Sequence, residues 1–318
     1  MSANTTIAVL GATGGQGGGL VDAVLADGTF TPRVLTRDAD STRSHALAAA
    51  GAHVVAADLD DPDSLRSAFD GADAAFVVTN YWAPLAENDT RTQAQRELTQ
   101  ARNAAVAAKQ AGVGHVVWST LEDTREHFGH DDRVPSVDGG YKVPHFDAKA
   151  EADRFFVEQG VPTTFLRTTM FFEGFTGAVA PTRDEAGTLT LTLPIADQPL
   201  SCIAVADIGK TALSIFKRGN DFAGRTISIA GDHLTGEQYA SALGDALGEP
   251  VLYRPLEWDT FRALGFPGAV EMGNMFQYYT ENSAAFVGAR DLASVRELNP
   301  ELQSFRDWLS SHAGEIHV

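Results

Sequence analysis

The strand Thr6–Leu10 runs directly into Gly11-Ala-Thr-Gly14-Gly-Gln-Gly17, and apolar residues at helical spacing follow from Gly18 to Ala26. A strand, a glycine-rich turn and a helix at the first such junction of a chain leave few alternatives. The glycines let the backbone bend sharply and approach a pyrophosphate, and the helix start offers unpaired N–H groups and a positive dipole end. Gly11, Ala12, Thr13, Gly14, Gly15, Gln16 and Gly17 are therefore expected to cradle the phosphates of a dinucleotide.

The rest of the N-terminal half repeats the pattern. Short β-branched runs at Pro32–Thr36, His53–Ala57, Ala74–Val78, His115–Trp118 and Thr163–Arg167 alternate with helical stretches at Ser64–Phe69 and Arg91–Ala111. Near-continuous apolar strands separated by helices predict a parallel sheet covered on both faces. The expected fold is α/β, a doubly wound parallel Rossmann sheet with a smaller, mainly helical C-terminal lobe. Residues 1–176, completed by about 201–231, form the nucleotide-binding domain; 177–200 and 232–318 form a substrate or partner lobe. Within that lobe Thr188–Leu193 alternates as an exposed strand or hairpin would. A helix is expected from Asp207 as N-cap to Lys217, and Thr235, with Glu237 and Gln238, opens another.

The end of the second strand selects the dinucleotide, because an acid there suits a ribose hydroxyl and an arginine suits a 2′-phosphate. The chain reads Leu35-Thr36-Arg37-Asp38, with Ser41 and Arg43 close by. Arg37 with Ser41 favours NADP(H), since a guanidinium matches phosphate geometry. Ligands in open α/β sheets lie at strand carboxyl ends, so Asp58 and Leu59 should border the adenine and Thr79, Asn80 and Tyr81 the ribose and pyrophosphate.

Catalysis is less legible. A short-chain reductase places a tyrosine four residues before a lysine on one helix face. No tyrosine here has that lysine; in His145-Phe-Asp-Ala-Lys149 a histidine stands in the tyrosine's place. His145 and Lys149 are the candidate proton-handling residues, and Lys149 equally suits holding ribose hydroxyls. The histidines and acids between Glu122 and Pro144 lack the close spacing of a metal site, so no metal is expected there. That long stretch is read instead as a mobile loop over the cofactor.

Acidic residues outnumber basic ones 42 to 24, a net charge of −18, which argues against a nucleic-acid surface. Cys202 is the only cysteine and lies in an apolar stretch, where a buried, inert thiol is expected. With no apolar run of membrane length and no signal-peptide character at Met1–Thr6, the expectation is a cytoplasmic protein without membrane contact.

Taken together, these segments resemble the NmrA-like family of atypical short-chain dehydrogenases, and most closely its human NADPH-sensing redox-sensor type. The resemblance is carried by Gly11–Gly17, Val34–Arg37, Phe76–Trp82, His145–Lys149, Phe171–Gly174, Leu264–Ala269 and Asn274–Phe276. It implies NADP(H) held by the glycine loop, Arg37, the Thr79–Tyr81 turn, Lys149 and the loop Phe171, Phe172, Glu173 and Gly174. It further implies a redox or cofactor sensor with little or no dehydrogenase activity, a regulatory protein partner and a homodimer. The alternative is an NADPH-dependent reductase of a small carbonyl, quinone or imine substrate using Lys149 or His145. The sequence departs from the sensor type at Thr99, where that type has a lysine, and at Gly174, where an asparagine is usual.

Overall fold

A computed structural model describes residues 5–318. Met1–Asn4, part of the stretch read as having no signal-peptide character, lie outside the described residues. The first elements are β1 (Thr6–Val9), α1 (Gly15–Asp27), β2 (Thr31–Thr36), α2 (Thr42–Ala49), β3 (His53–Ala56), α3 (Pro62–Phe69), β4 (Ala74–Val77) and α4 (Gln93–Gln110). Then come β5 (His115–Thr120), α5 (Arg125–Phe128), α6 (Pro144–Gln159), β6 (Thr163–Arg167), β7 (Met170–Phe171), β8 (Thr182–Arg183), β9 (Leu189–Leu191) and β10 (Leu200–Ile203). The remainder is α7 (Val205–Arg218), β11 (Thr226–Ser228), β12 (Asp232–Leu234), α8 (Gly236–Leu247), β13 (Val251–Tyr253), α9 (Trp258–Arg262), α10 (Ala269–Glu281), α11 (Ser283–Gly288), α12 (Leu292–Leu298) and α13 (Phe305–His312).

These elements form two compact units. The first comprises residues 1–123, 145–167 and 208–227 and the second 124–144, 168–207 and 228–318. Residues 124–144 and 168–176, which the sequence pattern assigns to the nucleotide-binding part, thus group with the second unit.

The seven-stranded sheet has the order β11-β6-β5-β4-β1-β2-β3, and the six strands β1 to β6 pair in parallel. This is the doubly wound order, with its switch point between β1 and β4, where ligands of such sheets bind. The strands are apolar because both faces are covered: Ile7, Ala8, Val9, Phe76, Val77, Val116 and Val117 have no exposed surface. Helix α4 covers one face with Ala101, Ala104, Ala105 and Ala108, small residues that let it lie close. Its start is fixed by a capping box, Thr92 accepting from the Gln95 backbone and Gln95 from that of Thr92.

The second unit holds two three-stranded sheets, β12-β10-β7 and β13-β9-β8, and the C-terminal helices. Two expectations are corrected here. Of the two forms expected for Thr188–Leu193 the hairpin is found, β9 pairing antiparallel with β8, but the strand is not exposed: β9 is the middle strand of its sheet, and Leu189, Thr190 and Leu191 are all buried. Helix α7 begins at Val205, before the expected cap at Asp207, whose fully buried carboxylate instead accepts from the Gln303 backbone at 2.9 Å. Thr235 does cap α8, with Gln238 completing the box. The large C-terminal side chains are mostly core, Phe276, Tyr278 and Tyr279 being buried, whereas Phe266 is exposed.

The segment from 124 to 144 is anchored rather than draped. The Lys142 ammonium donates to Val134 O at 2.6 Å and Asp131 O at 3.1 Å. The fully buried Asn274 donates to Pro135 O at 2.8 Å and Lys142 O at 2.7 Å. A loop whose carbonyls are satisfied from the core of its own unit lacks the loose backbone of a lid.

Candidate nucleotide site

The glycine turn shows why its residues are glycine. Gly11 has φ +67°, and a Cβ there would stand 2.5 Å from Val78 Cγ1. A Cβ on Gly17 would stand 2.5 Å from Gly11 O and 2.7 Å from Leu10 O, so only glycine lets α1 start this close to the end of β1. Ala12 is buried, while Thr13, Gly14 and Gly15 are exposed and Gln16 half-buried, its Oε1 accepting from Ser119 Oγ at 2.8 Å. No side chain caps α1 at Gly14. Its first-turn amides therefore suit an anion, and a bulky, doubly charged pyrophosphate fits a turn with no side chain in its path.

At the end of β2, Arg37 is exposed. Arg43 is nearby: its Nη2 lies 3.6 Å from where a Cβ on Gly18 would be, beside the first turns of α1. Ser41 serves as N-cap of α2, donating to Asp38 O at 3.1 Å and accepting from Ser44 N at 3.2 Å. The Asp38 carboxylate accepts from Asp40 N at 3.0 Å within its own turn. The segment after β3 is held by two helices: Asn103 of α4 donates to Leu59 O at 2.9 Å, and Asp58 N donates to Ser64 Oγ of α3 at 3.0 Å.

Across the switch point, the end of β4 meets α6. Lys149 and Thr79 are both buried, and the ammonium donates to Thr79 Oγ1 at 2.7 Å and Thr79 O at 3.2 Å. Its third donor goes to Glu97 Oε1 at 2.5 Å, an ion pair with a carboxylate that has no exposed surface. Trp118 lies beneath, its ring 5.2 Å from Nζ. One turn before Lys149, His145 is buried in an aromatic cluster, its ring 5.1 Å from Trp82 and 5.9 Å from Tyr81. Tyr81 is buried, Asn80 exposed, and Trp82 is 48% exposed.

Several members of this region escape a sequence reading. Glu97 is one. Arg96, its neighbour, is another, donating to the carbonyls of Asn80, Tyr81, Ala83 and Pro84 at 2.7–3.1 Å and so fixing the loop after β4. Asp153 is a third: its Oδ1 accepts from Trp118 Nε1 at 2.8 Å and Thr120 Oγ1 at 2.7 Å, and burial pushes its carboxyl up to about 6. A charged residue on the buried stripe of an alanine-rich helix is the signal for Glu97, which precedes Ala101, Ala104 and Ala108 at helical spacing.

The loop Phe171–Gly174 belongs to the second unit. Phe172 is fully buried among Phe305 and Trp308, with ring centroids 5.2 and 5.9 Å away, so its side chain serves that core. Glu173 accepts from Val205 N at 3.0 Å, and burial raises its carboxyl above the ordinary range. Phe171 and Gly174 keep partial exposure. In the same unit burial pushes the Cys202 thiol up, as expected of an inert cysteine.

The sequence pattern of the NmrA-like family matches residues 3–309. The chain belongs to the NmrA-like family. Over 299 residues it is 28% identical to an NmrA-like family domain-containing oxidoreductase of Aspergillus campestris, covering 90% of this chain and 86% of that one. Among solved structures, NmrA, a negative transcriptional regulator, matches in complex with NAD at 22% identity and TM-score 0.78. Its complex with NADP matches at 22% and 0.76; both comparisons cover 97% of this chain and 95% of NmrA. An NADPH-dependent quinone oxidoreductase from Escherichia coli, complexed with NADPH, matches at 24% identity and TM-score 0.71, over 96% of this chain and 98% of that one. At these identities the solved structures speak for the NmrA-like fold. Among the described residues no helix is long and apolar enough to cross a membrane.

Proposed function

We propose that this NmrA-like protein binds NADP(H) and acts as a cofactor-responsive regulator with little or no dehydrogenase activity. In this reading the uncapped first turn of α1 and residues 11–17 hold the pyrophosphate, and Arg37, with Arg43 beside it, takes the 2′-phosphate. Asp58 and Leu59 border the adenine. Thr79, Asn80, Tyr81 and Lys149 receive the nicotinamide half. NADP(H) over NAD(H) is supported by the exposed arginine at the end of β2 and by the use of the Asp38 carboxylate within its own turn.

The observation that carries the regulatory reading is the engagement of Lys149. Bound NADPH would supply a hydride to a substrate, and a reductase must also deliver a proton. The three donors of Lys149 go to Thr79 and Glu97, and no tyrosine stands four residues before it. A group so engaged orients a ligand better than it donates a proton. The partner on this reading is a regulatory protein, the working form a homodimer, and the compartment the cytoplasm, which suits a lone cysteine.

A second reading, favoured by the relatives named oxidoreductases, is reduction of a small carbonyl, quinone or imine with His145 as proton donor. Mixing the protein with NADPH and a panel of quinones, aldehydes and imines, and following loss of the reduced cofactor's absorbance, separates the two. The regulatory reading expects tight NADPH binding without turnover. Turnover lost in His145→Ala or Lys149→Ala overturns it.

A further inference from the structure

Arg96 and Glu97 are consecutive on α4, both are buried charges, and both reach the end of β4. Arg96 gathers the carbonyls of the loop after Thr79, while Glu97 turns to Thr79 itself. Its Oε1 accepts from Thr79 Oγ1 and Lys149 Nζ, each at 2.5 Å, closing a triangle with the Lys149–Thr79 bond of 2.7 Å. The other oxygen, Oε2, is buried without a hydrogen-bond partner. A buried carboxylate in this state is a poor device for stability, because desolvation offsets much of the Coulombic gain and apolar replacements often fold as well. What the arrangement does supply is position: it ties one long, flexible lysine stem on α6 to one hydroxyl at the end of β4.

We infer that Glu97 is a positioning residue of the cofactor site, holding the Lys149 ammonium and Thr79 in register for the nicotinamide half of NADP(H) without touching the nucleotide. The inference rests on the NADP(H)-binding reading above. It follows from which half of the site each group serves. The glycine turn and Arg37 lie at β1 and β2, on the adenosine side of the switch point, and Thr79, Lys149 and Glu97 lie at β4, on the other. Loss of Glu97 should therefore be felt by one half of the ligand only.

The test is calorimetric titration of the whole chain with NADPH and with adenosine 2′,5′-bisphosphate, which carries the 2′-phosphate half and no nicotinamide. Since a charge-assisted hydrogen bond to the ligand is worth about 10- to 100-fold in affinity, Glu97→Gln should weaken NADPH by about that factor and the bisphosphate less than about threefold. Lys149→Met should show the same selective loss, and adding Glu97→Gln to it should change NADPH affinity by less than about twofold, as expected when one residue acts through another. Glu97→Asp, which keeps the charge, should recover part of the affinity. Equal weakening of both ligands by Glu97→Gln, an undiminished effect in the Lys149→Met background, or no effect overturns the inference. If Glu97→Gln does not fold, Thr79→Val makes the same discrimination: selective loss of NADPH supports the positioning triangle and equal loss refutes it. Failure of the unaltered protein to bind either ligand overturns the NADP(H) reading itself, whereas normal binding of both with an indifferent Glu97→Gln overturns only the role of Glu97.

Discussion

Replacing Gly17 by alanine puts a methyl group at the tightest point of the nucleotide turn. Its Cβ would stand 2.5 Å from Gly11 O, 2.6 Å from Gly11 C and 2.7 Å from Leu10 O. Ordinary contact begins at 3.4 Å, so the turn must open by about 0.9 Å, the difference between 3.4 and 2.5 Å. The obstacles are backbone atoms, which have no rotamer to escape into. Two opposing effects set the stability: alanine is favoured over glycine in a helix by up to about 1 kcal/mol, and overpacking costs about 1–3 kcal/mol. A net loss of roughly 0–2 kcal/mol should result, small for a chain of this size. Affinity is the more sensitive quantity, because the same displacement carries the first-turn amides of α1 away from the pyrophosphate. Losing one charge-assisted hydrogen bond of about 1.5–3 kcal/mol costs about 10- to 100-fold in affinity. Urea denaturation and NADPH titration of the Gly17→Ala protein, read together, check both numbers. A variant that binds NADPH within about threefold of the unaltered protein, or that gains the full ~1 kcal/mol of helix propensity, would refute the argument that this turn is set by backbone contact.

Three further outcomes are expected. Arg37→Ala should weaken NADPH about 10- to 100-fold and NADH hardly at all, as removal of a charged hydrogen bond worth about 1.5–3 kcal/mol predicts; equal losses in titration would show that Arg37 does not hold the 2′-phosphate. Asp153→Asn keeps the oxygen that accepts from Trp118 and Thr120 and removes a carboxyl raised from 3.8 to about 6. The folded state binds that proton more tightly than the unfolded one, so this group's contribution is present below pH 4 and lost as the pH rises through about 6. The asparagine variant should accordingly match the unaltered protein at pH 4 and exceed it by about 3 kcal/mol at pH 8, and a pH-independent difference in urea unfolding would contradict this. Asn274→Ala should strand the carbonyls of Pro135 and Lys142 at a cost of about 1–3 kcal/mol and expose residues 124–144 to limited proteolysis; an unchanged cleavage pattern would count against the anchoring of that segment.

The parts of this molecule legible in sequence are those encoded by local spacing. The order of strands and helices, the glycine turn and the capping box at Thr235 each depend on residues within a few positions of one another, so periodicity and turn chemistry suffice. The place of Arg37 at the end of β2 is legible for the same reason, because it directly follows the strand. The misread elements depend on what lies opposite them. Thr188–Leu193 alternates like a half-exposed strand, and only its neighbours β8 and β13 make it a central one. Residues 124–144 look like a loose loop until Asn274, far along the chain, supplies their hydrogen bonds. Glu97 is 52 residues from Lys149 and carries no motif; its sole trace is a charge on a stripe of alanines.

The state of Lys149 bears on how the proposed response to NADP(H) would work. An ammonium has three protons, and all are donated, two to Thr79 and one to Glu97. A ribose hydroxyl can accept from Lys149 only if one of those bonds is surrendered, and each of the acceptors is in a buried residue. An acceptor left unmet in that setting costs about 1–3 kcal/mol, enough to favour a shift of the turn that carries Thr79. Arg96 ties the residues after Thr79 into one body through four carbonyls, so a shift of that turn should carry Trp82 with it. Trp82 is 48% exposed and packs edge-on against Tyr81, which makes its fluorescence a reporter of the movement. NADPH should therefore change the Trp82 emission, assigned by its loss in Trp82→Phe, while adenosine 2′,5′-bisphosphate should not, and Lys149→Met should abolish the response without abolishing binding of the bisphosphate. An equal response to both ligands would place the origin of the change at the glycine turn instead and break the link between Lys149 and the loop.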